Sequence, residues 1–420
     1  MKARFARYAL IFITILVTAI TLPDFYWTLF QPNIKFPKVY YSSVLKDFLF
    51  MNFDNQPNLL GYTITDSNGK KYAREEFEQK LPLFFYRQLT LNGSMPDTVD
   101  GVPILLDQVK RSNVSIRLRP RYLDRPQIQL FPLFESASGR VNLELPPDYF
   151  RITDQGIEFI KASTNKRVEE KSARFTDALK RAGFVFPAKS INGNPTTRKA
   201  FDEGYFIQDQ NNFLFHLKQI KGKPFVKKIS LPDTVNMKYL KISENSLNEF
   251  YGVLIDTHHH VYLLSTNNYQ LIPLKIKNYD ANESVLTIYT NLLYRICSVR
   301  NPSQLSVFVF DKNYQFVREY HSPAKDIFDY PAGKILQFLA PFQLSYTDYT
   351  SSYIFFRFRL FKPYWVILNL ILTLFTFVLI KRKNHVVKRH WQDLLIVALT
   401  GLYGLIGVWL FAFPGKHCNE

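Results

Sequence analysis

The stretch that decides the fold is Gly204–Pro232, "GYFIQDQNNFLFHLKQIKGKPFVKKISLP". It reads as three short apolar strands, rich in aromatic residues and broken by polar turns. The same reading fits "EFYGVLIDTHHHVYLLSTNNYQLIPLKI" (Glu249–Ile276) and "LLYRICSVRNPSQLSVFVFDKNYQFVREY" (Leu292–Tyr320). The second strand ends at Leu217, Leu264 and Phe310, and the third begins at Phe225, Leu271 and Phe316, giving intervals of 47 and 46, then 46 and 45 residues. A further apolar segment follows each unit: "MKYLKI" from Met237, "SVLTIY" from Ser284 and "KILQFL" from Lys334. Each is expected to close its unit as a fourth strand. Four antiparallel strands recurring at roughly this interval are the mark of a β-propeller blade.

Weaker copies of the hairpin start at Gly61 ("GYTITDSNGKKYAREEF") and Phe150 ("FRITDQGIEFI"). In four of these hairpins an aspartate (Asp66, Asp154, Asp209, Asp256) ends the first strand and opens the turn. Its carboxylate is suited to accept hydrogen bonds from the turn backbone. Helical insertions interrupt the pattern. "VEEKSARFTDALKRAG" (Val168–Gly183) has acids early, bases late and a terminal glycine, and a second helix is expected from Arg74, limited by Pro82. The expectation is a mainly β, propeller-like body of four-stranded antiparallel repeats, three clear and about two degenerate. An open ring and a plain antiparallel sandwich are the competing architectures.

Composition agrees with a strand-rich body, since 16% of residues are aromatic, including 38 Phe and 25 Tyr. With only two cysteines, Cys297 and Cys418, a disulfide-stapled scaffold and a paired-cysteine zinc site are both excluded. Cys297 sits in "YRICSV" and reads as a small buried hydrophobe. The formal net charge of +18 invites a nucleic-acid reading, so the position of the charge matters.

Five of those cations lie in "IKRKNHVVKRHW" (Ile380–Trp391), between two uncharged apolar runs. Pro363–Ile380 and Leu394–Phe413 are each long enough to cross a hydrocarbon core as a helix. A third apolar run, Tyr8–Leu22, follows Lys2, Arg4 and Arg7 and is trailed by Tyr26 and Trp27. No small-residue cleavage site follows it, so it reads as an uncleaved signal anchor, with a cleaved signal peptide as the alternative. Basic flanks stay in the cytoplasm. The N-terminus and the basic loop then share that side, everything between the first and second spans lies outside, and nucleic-acid binding is set aside. The expected organisation is an anchor over 1–30, a mixed first part of the body over 31–149 and a repeat part over 150–362. Spans over 363–380 and 393–413 would flank a cytoplasmic loop at 381–392, with an extracytoplasmic tail over 414–420.

Chemistry is scarce. "DTHHH" (Asp256–His260) holds metal-binding residue types, but neighbours on a strand point to opposite faces, and the segment aligns with the turn "DQNN". It is read as a solvated hairpin turn. The pairs Glu75–Glu76 and Glu169–Glu170 are read as solvated helical carboxylates. "GNPTTRKAFDEG" (Gly193–Gly204) is either a ligand loop or a structured connection. Gly401, Gly404 and Gly407 would let another helix approach closely, from a partner or from this chain. No nucleophile elbow, metalloprotease helix or phosphate loop is present. No catalytic, cofactor-binding or metal residues are assigned.

The segments "LFPLFESASGRVNLELPPDYFRITDQGIEFI", "ALKRAGFVFPA", "NPTTRKAFDEGYF" and "FHLKQIKGKPFV" resemble a family of uncharacterised membrane proteins of Bacteroides and relatives, grouped as a domain of unknown function. The resemblance implies a bacterial inner-membrane protein with its bulk in the periplasm, encoded beside ABC-transporter components. It supplies no site residues. The expected function is a non-enzymatic accessory subunit of an envelope ABC-type transport complex. Its partners would be the lipid bilayer and transporter subunits. A membrane-tethered propeller-like enzyme acting on envelope glycan or peptide is the alternative.

Overall fold

A computed structural model describes residues 2–32, 36–53, 61–140, 142–199, 201–323, 326–346, 349–382 and 390–411. The centre of the basic loop (383–389) and the tail with Cys418 lie outside the described residues. The chain divides into two compact units, one of residues 36–322 with 350–352, the other of 1–35, 323–349 and 353–420. A boundary at 149/150 therefore falls inside one unit, and residues 323–349 and 353–362 belong to the other.

Sheet I of the larger unit is β1 (Lys38–Ser42), β2 (Asp47–Asn52) and β3 (Thr63–Asp66). A short ladder of β4 (Thr98–Val99) and β5 (Val102–Pro103) precedes β6 (Val114–Leu118). Sheet II is β7 (Phe131–Pro132), β8 (Asp148–Ile152), β9 (Ile157–Lys161) and β10 (Lys166–Arg167). Sheet III is β11 (Ser190–Gly193), β12 (Tyr205–Gln208), β13 (Leu214–Ile220) and β14 (Lys223–Ile229). Sheet IV is β15 (Met237–Ile242), β16 (Phe250–Asp256), β17 (Val261–Ser265) and β18 (Leu271–Leu274). Sheet V is β19 (Val285–Thr290), β20 (Tyr294–Arg300), β21 (Gln304–Asp311) and β22 (Phe316–Pro323), with β6 added beside β19. The smaller unit adds the pair β23 (Phe342–Ser345) and β24 (Arg357–Leu360). The helices are α1 (Lys2–Phe30), α2 (Arg74–Lys80), α3 (Tyr86–Leu91), α4 (Leu106–Ser112), α5 (Glu169–Arg181), α6 (Pro331–Leu339), α7 (Trp365–Arg382), α8 (Trp391–Thr400) and α9 (Leu402–Leu410).

The repeat is real, but its phase differs from the expected one. "MKYLKI" is β15, which pairs with the following β16 (Leu240↔Leu254), and "SVLTIY" contains β19, which pairs with the following β20 (Ile288↔Cys297). These strands open the next sheet and do not close the previous one. "KILQFL" is not a strand: it lies in α6, where Pro331 occupies the first turn with its φ pre-set and Gly333 and Leu336 are buried at helical spacing.

Sheets III, IV and V pack neighbouring sheets through both faces, which is why their strands read as nearly continuous apolar runs. In sheet III, Tyr205, Ile207, Phe215 and Leu217 meet Phe131, Phe150 and Phe159 of sheet II, together with Phe175 and Leu179 of α5. The alternate residues Phe206 and Leu214 meet Leu240, Leu254 and Leu264 of sheet IV. Val253, Ile255 and Leu263 of sheet IV meet Leu286, Cys297 and Phe308 of sheet V. Tyr294, Val307 and Val309 of sheet V meet Tyr41, Phe48 and Phe50 of sheet I. The order of packing is thus I–V–IV–III–II. Cys297 is fully buried in this core, and burial pushes its thiol pKa up.

The aspartate turns follow one pattern. Asp66 accepts from the N–H groups of Asn68 and Lys70, Asp209 from Asn211 and Phe213, and Asp256 from His258 and His260, at 2.8–3.0 Å. Asp311, not singled out in the sequence, does the same for Asn313 and Gln315 at 2.8 Å. At the hairpin of Asp154 the role passes to Thr153, whose hydroxyl oxygen accepts from Gln155 N–H at 3.4 Å.

In the smaller unit, α1 (28 residues from Ala3) and α7 (18 residues) are long and apolar enough to cross a membrane. The segment expected to form one last span does not. Its helix breaks at Gly401, which adopts φ +59°, and α9 folds back on α8. The Arg7 guanidinium reaches both ends of this hairpin, donating to Asp393 Oδ1 at 2.8 Å and to the Phe411 carbonyl at 3.1 Å. In a continuous helix those two residues would stand about 27 Å apart. A Cβ built on Gly404 would lie 2.9 Å from the Ile396 carbonyl, and one on Gly407 would lie 3.3 Å from that of Ile11. Gly407 beside Ile11 and Phe411 beside Arg7 make α9 antiparallel to α1. The three glycines therefore share no single face. Gly401 lies against Asn369 of α7, Gly404 against α8 and Gly407 against α1, all within this chain.

Candidate functional site

The histidine run forms the β16–β17 turn. His260 Nδ1 lies 2.9 Å from Asp256 Oδ2, while His259, at φ +67°, turns to Asp280 at 3.1 Å. Burial alone would raise the Asp256 pKa, but bonds from the backbone and ring of His260 and the backbone of His258 outweigh it and hold the carboxyl below its usual range. The rings do not converge on a common point. Glu76 caps α2 through the Ala73 N–H at 3.3 Å, while Glu169 and Glu170 are exposed and face Arg167 and Arg174.

The loop Gly193–Gly204 carries a buried ionic cluster. Lys199 Nζ lies 2.5 Å from Asp202 Oδ1, 2.7 Å from Glu244 Oε1 and 3.0 Å from the Asn194 carbonyl. Its ammonium also sits 4.9 Å from the centre of the Phe134 ring. All three charged side chains are at most 2% exposed. Asp202 Oδ2 accepts from Ser136 Oγ at 2.9 Å and from Gly204 N–H at 3.0 Å. Burial raises the Glu244 pKa, against the lowering effect of the Glu203 N–H and Lys199. Beside the cluster, His216 stacks on Phe206 with ring centres 4.2 Å apart. Its Nε2 is 2.5 Å from the Glu203 carbonyl, which can only accept, so Nε2 carries the proton and Nδ1 accepts from Tyr269 Oη at 2.9 Å. Burial, helped by the Lys218 charge, drives the His216 pKa down to about 3. Lys199, Asp202 and Glu244 are consumed by one another, so the loop, which links β11 to β12 within sheet III, is a structured connection pinned to Glu244 beyond β15.

An open site lies elsewhere, where the first strands of the sheets converge. A cavity of about 460 Å³ is lined by Phe131 and Pro132 of β7, Ile191 and Gly193 of β11, Tyr239 and Lys241 of β15, and Tyr122 and Arg125 beyond β6. Tyr205 also lines it, donating its hydroxyl to the Pro132 carbonyl at 2.9 Å. Gly193 is required beneath that ring, because a Cβ there would strike it. Lys241 Nζ lies 5.9 Å from the centre of the Tyr122 ring. Burial, reinforced by Tyr122 and opposed by Arg125, pushes the Tyr239 pKa up to about 12. Among the described residues, none lining it is acidic. The sequence reading passed over these residues, although "RLRPRYLDR" (Arg117–Arg125), with four arginines in nine positions, was a usable signal. A second cavity, of about 260 Å³ between sheets I and V, is lined largely by apolar and aromatic residues such as Tyr40, Phe84 and Tyr289.

Comparison with curated proteins finds no match. Among solved structures that match is PorZ, described as an essential bacterial surface component of the type-IX secretion system of Porphyromonas gingivalis. Identity is 10% and the TM-score 0.22, over 69% of this chain and 27% of that one, too slight a likeness to bear on fold or function. Residues 38–310 match the family described as "Domain of unknown function (DUF4857)". That span covers most of the chain and all the first strands lining the open cavity, and the protein belongs to that family.

Proposed function

We propose that the protein is a non-enzymatic accessory subunit of an envelope ABC-type transport complex, anchored in the bacterial inner membrane by α1 and α7. The sheet body would stand in the periplasm as a propeller-like binding domain. The observation that carries this reading is the contrast between two polar regions. The ionic cluster at Lys199 is fully self-satisfied and shut from water, whereas the cavity at the converging first strands is open, aromatic and cationic. The first is a structural pin and the second a binding surface.

The helical unit supports the orientation. Arg7, the start of α8 and the end of α9 meet at one end of the helices. Lys2, Arg4 and Arg7, together with Lys381 and Arg382 at the end of α7, belong to that same end, which the positive-inside rule assigns to the cytoplasm. On this reading α8 and α9 form a re-entrant hairpin whose last described residue, Phe411, lies at the cytoplasmic end; the tail over 414–420, expected to be extracytoplasmic, lies outside the described residues. Asp393 is tolerated there because Arg7 pairs with it and His390 Nδ1 lies 3.0 Å from its other oxygen.

Purification of the tagged chain from its own membranes in mild detergent tests the assignment. The expected result is one ATPase and one permease in constant ratio to the chain. Recovery of the chain alone, or turnover of an envelope glycan or peptide by the purified chain, would overturn it.

A further inference from the structure

We infer that the cavity at the first strands of sheets II, III and IV binds a small organic anion: a carboxylate or phosphate carried on a ring or another flat, apolar body. The inference deepens the binding-domain reading and rests on it. Three observations converge. First, Arg125 and Lys241 both line the cavity, and among the described residues neither has an acidic partner. Two cations facing one concavity without counter-charge favour an anion, and a guanidinium matches the geometry of a carboxylate or phosphate. Second, the rest of the wall is largely aromatic and apolar, with the half-buried Tyr122 and Tyr239 offering flat surface to a ring above the buried Tyr205 and Phe131. Third, the volume of about 460 Å³ suits a small molecule.

The local field points the same way. Arg117, Arg119 and Arg121 precede Arg125 in one segment, and none has an ion pair among the described residues. The one acid of that segment, Asp124, is held by neutral donors and keeps its charge: its carboxylate accepts from the Ser351 hydroxyl and from the Ser352 N–H, the latter at 3.0 Å. The segment 117–125 keeps a net positive charge, four arginines against one aspartate, which favours anions near Arg125 and makes their binding sensitive to salt.

The test is calorimetric titration of the full chain in nanodiscs with 1-naphthyl phosphate, against empty nanodiscs and against the neutral 1-naphthyl glucoside. The expected result is one site per chain that weakens as salt rises. The double variant Arg125→Gln/Lys241→Gln should weaken it at least tenfold, while the charge-keeping variant Arg125→Lys/Lys241→Arg stays within about threefold of wild type. The neutral probe should bind at least tenfold more weakly than the phosphate. Absence of a saturable site, equal binding of the two probes, or no effect of the double variant would overturn the inference. The same samples, assayed for the co-purifying ATPase and permease, separate this failure from failure of the transporter assignment.

Discussion

Lys199→Met is expected to destabilise the sheet body by about 3–5 kcal/mol, the usual cost of removing one partner from a buried ion pair. The substitution nearly preserves side-chain volume, so the loss is electrostatic. Asp202 and Glu244, both out of contact with water, would be left without the ammonium that balances them. The triple variant Lys199→Met/Asp202→Asn/Glu244→Gln should recover part of the loss, because it removes the stranded charges together. Hydrogen exchange of the β12–β13 amides in nanodiscs reads both effects. A loss below about 1 kcal/mol for Lys199→Met would show that water reaches the cluster.

His216 gives the second large effect, and its sign is fixed by the direction of its shift. The folded pKa lies near 3, below the ordinary 6.5, so between those values the unfolded chain binds the extra proton. Stability is complete above about pH 6.5 and falls as the medium is acidified, at up to about 1.4 kcal/mol per pH unit, reaching about 2 kcal/mol by pH 5. His216→Gln should remove that part of the acid sensitivity. Denaturant titrations of both proteins at pH 7 and pH 5 should differ in slope by about one proton. Equal acid sensitivity in the two would mean that His216 is charged in the folded body.

The hairpins were legible in the sequence because each is written locally: an apolar run, an aspartate that binds its own turn, and a second apolar run. The phase of the repeat was not, because a strand such as "MKYLKI" is equally near two hairpins along the chain. Only its pairing with Leu254 and its neighbours assigns it to the second. "KILQFL" is too short for periodicity to separate strand from helix, and Pro331 just before it was the better guide. The fold-back at Gly401 was hidden for a different reason. Glycine is common in membrane helices, so nothing in an unbroken apolar run marks the position where it reverses direction. The contact that defines the hairpin joins Arg7 to Asp393, 386 residues away. The Lys199 cluster is not legible in the sequence, because composition alone leaves a ligand loop and a structured connection equally open and does not reveal burial. The cavity escaped notice because its walls come from four strands spread between Tyr122 and Lys241.

The proposed topology puts the sheet body in the periplasm and the ends of the helical unit in the cytoplasm. Labelling with a membrane-impermeant maleimide, in cells with a permeabilised outer membrane, tests it most directly. Cys297 is sealed in the core between sheets IV and V and serves as a silent background. Asn267→Cys, on the exposed turn between β17 and β18, should label in intact cells in a Cys418→Ser background. Native Cys418 and an engineered Asn384→Cys should label only after the inner membrane is broken. Labelling of Cys418 or Asn384→Cys in intact cells, or protection of Asn267→Cys there, would contradict the account.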